Sequence, residues 1–177
     1  MDIVNRMIRA AKLDVSLYEE VEKDTTATNQ ALLVVVIASI CAGIGQAIAG
    51  GTVIGLVTGL VTALVGWLIW SFITYILGTR VFKGPNTEAS YGQLLRCIGF
   101  SNSPNVLSIF AFIPALGPVI VFIAAIWSLV AMVIAVRQGL DFSTGRAIAT
   151  CIVGFIVLIV IMAVVGGLTA GMLALGK

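Results

Sequence analysis

Few residues in this sequence could carry chemistry. The 177-residue chain has no histidine, which removes the commonest metal ligand and the base of any Ser-His-Asp or Cys-His arrangement. Cys41 and Cys151 lie inside apolar runs and Cys97 stands beside Arg96. That scatter has neither the pairing of a zinc site nor the pattern of a disulfide framework. Cys97, next to a polar segment, is a candidate for S-acylation. No glycine-rich loop ending in a lysine is present to cradle a phosphate. What remains inside the apolar stretches is uncharged: Ser39, Thr58, Thr62, Ser71, Thr74, Ser108, Ser128, Thr150 and Gln46. Hydroxyls so placed bond back to their own helix or to a neighbour, so they read as structural, and Gln46 reads as an interhelical bond. Ionisable groups inside a membrane mark proton relays and ion pathways, and the spans hold none. The expectation is no catalytic, metal or cofactor site, and a protein that is not an enzyme.

The elements that position these residues belong to a membrane. The chain is 60% hydrophobic and 10% charged, against about 25% charged residues in an ordinary soluble domain. A helix needs roughly 20 apolar residues to cross the ~30 Å hydrocarbon layer, and several charge-free runs of that length occur. Lipid offers backbone groups no partners, so spanning elements are helices or closed barrels. The runs lack the period-two alternation of a barrel. The fold class is all-α: a polytopic five-helix transmembrane bundle in residues 31–177, preceded by short interfacial helices in residues 1–30. The polar residues ahead of the first apolar run argue against a cleaved signal peptide. A net charge of +2 gives no argument for nucleic acid.

The first span is read as residues 31–48 and the second as 52–77, joined by the tight Ala49-Gly50-Gly51 turn. Trp67, Trp70 and Tyr75 fall toward the far end of the second, where aromatic rings favour the headgroup zone. A polar loop from Thr79 to Gln93 follows, and Pro104, after Ser103, is placed to start a helix. Residues 105–136 would make about 48 Å of helix at ~1.5 Å per residue, too long for one crossing and short for two. Pro114 and Pro118 flank a turn, so the stretch divides there into a fourth span over 119–136 and a short third leg, which makes a full third span, 94–116, only if the Leu94 to Phe100 segment contributes. The Arg137-Gln138-Gly139 sequence reads as a helix end with Gly139 as its left-handed cap, and a fifth span covers 147–174. This division puts Arg80, Lys83, Arg137 and Arg146 on the side of the amino terminus and leaves Lys177 alone opposite. By the positive-inside rule the amino terminus is cytoplasmic and the carboxyl terminus outside.

Gly51, Gly55 and Gly59 recur at four-residue spacing, as do Gly167 and Gly171; small residues so spaced let helix backbones approach closely, within the chain or in a homo-oligomer. Near the amino terminus Ile3, Val4, Met7, Ile8 and Ala11 form one helical stripe with Asn5, Arg6, Arg9 and Lys12 opposite. That pattern predicts a short helix lying on the inner leaflet or packed on the protein's own cytoplasmic face. Ser16 and Glu19 resemble a capping box for a second short helix, whose acids Glu19, Glu20, Glu22 and Asp24 read as a solvated face.

The segment Tyr91 to Pro104 resembles the Yip1 domain family of five-span membrane proteins. Gly99-Phe100-Ser101-Asn102-Ser103-Pro104 matches that family's Gly-Tyr-x-x-x-Pro motif at the opening of the third span, with Phe100 in place of Tyr. The Trp127-Ser128 region, the Arg137 turn and the Ser143 to Ala147 helix start also sit where the family places theirs. The resemblance runs from about Ala31 to the carboxyl end. Eukaryotic members carry a long cytosolic region with an Asp-Leu-x-Gly-Pro motif and are tied to vesicle traffic and Rab GTPases. The motif does not occur here, so the resemblance implies the compact prokaryotic branch, in the cell membrane. The expected function is a non-enzymatic scaffold or accessory subunit that contacts membrane lipids and other membrane proteins or a larger complex, with membrane shaping as a variant. Its exposed candidates for partner contact are Gly99, Phe100 and Pro104, with Arg80 and Lys83 in the Thr79 to Gln93 loop. A passive channel or carrier for a neutral or lipid-like solute is the alternative, because broken helices at membrane depth often line cavities.

Overall fold

The computed structural model describes residues 2–84 and 87–175, with side chains as far as residue 164. Among the described residues all regular structure is helical, and there is no strand. Helices α1 (Ile3–Ala11) and α2 (Val15–Lys23) form a short hairpin. The long helices are α3 (Ala27–Ile48), α4 (Val53–Ile76), α6 (Leu116–Gly139) and α7 (Thr144–Leu175), with the shorter α5 (Tyr91–Phe100) between α4 and α6. A π-helical turn, Leu77–Val81, extends α4, and a 3₁₀ helix, Ser103–Phe112, follows α5. Four of the described helices are long and apolar enough to cross a membrane: α3, α4 with its π turn, α6 and α7.

Local chemistry sets the boundaries. The α3–α4 turn places Gly50 at φ +103°, a left-handed conformation glycine adopts without penalty. Thr52 then caps α4 by accepting from the Gly55 amide at 3.1 Å. A reciprocal Ser90 and Gln93 capping box opens α5. The start of α2 differs from the Ser16 reading, because Asp14 is the cap and accepts from the Ser16 amide at 3.0 Å. The end of α6 also differs. Asp141, not Gly139, takes the left-handed conformation, at φ +51°; Gly139 is instead a close-packing position, where a Cβ would lie 3.1 Å from Leu94.

The length problem of residues 105–136 is solved by a change of helix type. Gly99 packs on Ala31 at one end of α3, and the 3₁₀ residues Ser108 and Ile109 lie against Gly45 near its other end. Ala31 to Gly45 is about 21 Å of α-helix. The 3₁₀ helix rises ~2.0 Å per residue, so its ten residues cover about the same distance. The chain then reverses at Ala115, at φ +65°. It starts α6 at Leu116, with Gly117 so close to the Ala111 carbonyl that a Cβ would lie 2.0 Å from it.

The charged segments gather at one end of the bundle. Gln138 of α6 donates to Glu19 of α2 at 3.0 Å, Gln93 of α5 donates to Glu22 at 3.0 Å, and Arg146 of α7 packs on Gly84. Beneath them Leu17, Tyr18 and Val21 join Leu94, Phe100, Val136 and Leu140 in a buried core. Trp67 and Trp70 face inward rather than toward headgroups, both 7% exposed, and the Trp67 indole donates to the Leu95 carbonyl at 3.0 Å. Cys97 is fully buried under Tyr18, which removes it as an accessible S-acylation site.

Candidate functional site

A crevice of about 570 Å³ runs between α3, α4 and the 3₁₀ helix, from Gly51 at the hairpin turn to Ala63. Residues without side-chain bulk open it: Ala38, Ala42 and Gly43 on α3, Gly51 in the turn, and Gly55 and Gly59 on α4. Its polar groups are Ser39, Gln46, Thr52, Asn102, Asn105 and Ser108, none of them ionisable. At Ala63, Asn102 and Asn105 it joins a second chamber of about 410 Å³ walled by Trp67, Trp70, Leu129, Met132, Phe155 and Leu158. Together they follow α4 from Gly51 to Trp70, about 28 Å at ~1.5 Å per residue. One end is polar and the other aromatic.

The polar groups differ in how far the protein itself satisfies them. Ser39, Thr58, Thr74 and Thr150 donate to carbonyls on their own helices, the back-bonding expected of hydroxyls in apolar surroundings. Ser101 and Ser103 do the same. Ser108 does not: it is 8% exposed, lines the crevice, and makes no side-chain hydrogen bond among the described residues. The Asn102 amide donates to the Ile98 carbonyl at 3.0 Å, and Asn105 donates to the Asn102 side-chain oxygen, which leaves the oxygen of Asn105 without a protein donor. Gln46 lies exposed on the crevice wall and makes no side-chain hydrogen bond among the described residues, in place of the interhelical bond read from its position. Farther along, the Trp70 indole nitrogen and the Ser128 hydroxyl are buried and unpaired beside the aromatic chamber. Buried groups such as the Trp70 and Ser128 donors cost about 1–3 kcal/mol each when left dry, and the half-buried and exposed groups of the crevice offer an occupant further hydrogen bonds.

The residues named from the sequence fall in different places. Gly99 and Phe100 are buried inside the protein against α3 and the core, and Pro104 is buried with them, so they hold the third leg in place and offer no partner surface. Arg80 and Lys83 are exposed. Gly55 and Gly59 face the crevice, with nothing within 4 Å of a Cβ at Gly59, whereas Gly51 closes on its own turn at the Gln46 carbonyl. The side chains around Gly167 and Gly171 lie outside the described residues. Missed altogether were Gly43 and Gly45, which bring α3 against α4 and the 3₁₀ helix. The sequence signal was the alternation of small residues in Ala42-Gly43-Ile44-Gly45.

The amino-terminal hairpin is docked by charge. Arg6 is 4% exposed and donates to Glu20 at 2.7 Å, Asp24 at 2.8 Å and Gln30 at 2.8 Å. Arg9 bridges Asp14 at 2.8 Å and Glu20 at 2.7 Å. Glu20 and Asp24 are therefore clamped, not a free solvated face. Ser16 and then Arg9 hold the Asp14 carboxyl down to about 2, and Thr26 and then Arg6 do the same for Asp24. Glu20 is lowered chiefly by Arg9, whereas burial raises Glu22. Ile3 and Met7 pack toward the core, while Val4 and Ile8 stay exposed.

A family model described as the Yip1 domain matches residues 18–166, in agreement with the resemblance carried by Gly99 to Pro104. No curated protein and no solved structure matches the chain.

Proposed function

The chain belongs to the Yip1 domain family, and from that premise we propose that it is a non-enzymatic carrier that takes an uncharged, lipid-like molecule into the crevice between α3, α4 and the 3₁₀ helix. The observation that carries this reading is a crevice lined by Ser108, Gln46 and the Asn105 oxygen, none with a hydrogen-bond partner among the described residues, that meets an aromatic chamber at Asn105. Neutral donors and acceptors suit a hydroxyl, ester or amide headgroup, and the Trp67, Trp70 and Phe155 walls suit an apolar chain. A lining with no Asp, Glu, Lys or Arg gives an ion no counter-charge.

In the same reading the 3₁₀ helix supplies a fifth crossing, supported by its course along α3, and the protein lies in a prokaryotic cell membrane. The amino terminus is cytoplasmic, because the Arg80 and Lys83 loop, Arg137, Arg146 and the amino-terminal hairpin share one end. Extraction in native lipid discs followed by mass spectrometry of bound small molecules tests the proposal. One uncharged amphiphile per chain is expected, lost from an Asn105→Leu, Ser108→Ala variant that remains folded. No bound amphiphile, or equal retention by the variant, would overturn it. The second reading is a scaffold that binds partner proteins, favoured by the open space beside Gly59 and Gly66; its expected result is a stoichiometric polypeptide in the discs.

A further inference from the structure

The lipid-facing sides of the bundle are unequal in height. On α4, exposed apolar side chains run from Val53 through Val57, Val61, Val65 and Leu68 to Phe72. That is about 29 Å at ~1.5 Å per residue, a match to the ~30 Å hydrocarbon layer. Helix α6 is pinned over a similar height. Gly117 packs on Ala111, which packs on Gly45 near the end of α3, and beyond the other end Leu140 packs on Gly78 past the end of α4. Trp127 is therefore at mid-height, about 18 Å along the helix from Gly139.

Yet polar chain reaches it there. The Trp127 indole donates to the carbonyl of Ala11, the last residue of α1, at 2.7 Å. Leu13 closes an apolar hollow with Phe122, Ile126 and Trp127. The hairpin hangs along this side of α6, from Glu19 at Gln138 down to exposed Lys12 and the Arg9–Asp14 pair beside the Ala11 to Asp14 turn. Charges at the centre of a full-thickness hydrocarbon layer are strongly disfavoured. Exposed apolar surface beyond the turn extends only from Ile126 to Leu116, about 15 Å.

We infer that the bilayer is thinned beside α6: phospholipid headgroups and water descend to the Ala11 to Asp14 turn at the level of Trp127, while the α4 side keeps full thickness. The partner of this surface is the headgroup layer itself, and Val4 and Ile8, exposed on α1, sit among its upper acyl chains. Thinning on one side is how a bilayer adapts to a short hydrophobic face. This inference is independent of what fills the crevice.

The test uses the full chain in phosphatidylcholine vesicles brominated at shallow or deep acyl positions. In a Trp67→Phe, Trp70→Phe variant the remaining Trp127 is expected to be quenched at least twofold more by the shallow bromines. With Trp127→Phe and Val61→Trp added, the order should reverse. Stronger quenching of Trp127 by the deep bromines would overturn the inference. Because Trp67 anchors α5, a second measurement leaves the tryptophans alone: Lys12→Cys, at the turn itself, should react with a membrane-impermeant maleimide at least tenfold faster than Val61→Cys. Equal rates would overturn it.

Discussion

In the amino-terminal clasp, Arg6 and Arg9 are matched by Glu20, Asp24, Asp14, Gln30 and Ser16; in the crevice, Ser108, Gln46 and the Asn105 oxygen face open space. The two clusters use their polar groups oppositely. A saturated network fixes one arrangement, since each lost partner strands a buried group. An unsaturated one holds hydrogen-bonding capacity for something that arrives later. The lesson is that polar groups in this protein are classified by what satisfies them, not by residue type.

Four changes probe that contrast. Arg6→Ala should have the largest effect, weakening the docking of α1 on α2 by about 3 kcal/mol, the low end for a broken buried pair. Glu20 and Asp24 keep 32% and 27% of their side-chain surface in water, which limits the loss. Limited proteolysis at residues 2–14 and amide exchange of α1 would read the change. If exchange in α1 stays at wild-type rates, the clasp contributes little and the comparison fails. Gly45→Ala comes next, at about 1–3 kcal/mol, because its Cβ would lie 2.3 Å from the Ser108 carbonyl and force the 3₁₀ helix away from α3. Thermal melting in detergent measures it, and Gly59→Ala, with open space around it, should melt like wild type.

Ser108→Ala should leave melting within about 0.5 kcal/mol while lowering amphiphile retention roughly tenfold, about 1.4 kcal/mol. Equal losses of stability and retention would mean that the hydroxyl is structural. Acid has the smallest effect. Asp14, Asp24 and Glu20 have folded values below their ordinary ones, so their stabilisation is fully present above about pH 5 and is lost as pH falls toward 2. Glu22, raised by burial, acts in the opposite sense. The protection of α1 amides, corrected for the slowing of intrinsic exchange in acid, should therefore fall between pH 5 and 2, and less so in Arg9→Ala, whose Asp14 and Glu20 have already lost a partner.

Much of the fold was legible because hydrophobic length is additive along the chain. The helices starting near Ala31, Thr52, Val119 and Ala147 appear within a few residues of those positions, and the Ala49-Gly50-Gly51 turn is as read. The third leg was less legible. Composition cannot distinguish a 3₁₀ helix from an α-helix, and only contact with Gly45 and Gly99 holds residues 103–112 in the longer rise. The site was barely legible. Gln46 and Ser108 were noted among the polar residues of the apolar stretches but read as structural, and Ser108 looks like Ser101 or Ser103 until the hydrogen bonds are assigned.

By itself the sequence determined that this chain is helical, membrane-embedded and uncharged within its long apolar runs, because those properties follow from runs of side chains and the insolubility of unpaired backbone in lipid. Tertiary structure alone decided which polar groups are satisfied. Arg6, on the polar face opposite the apolar stripe, became a buried clamp, Gly99 and Phe100 became core, and glycines spaced for helix packing opened a crevice. Pairing depends on which surfaces meet across the bundle, and helical periodicity specifies a face without specifying what it faces.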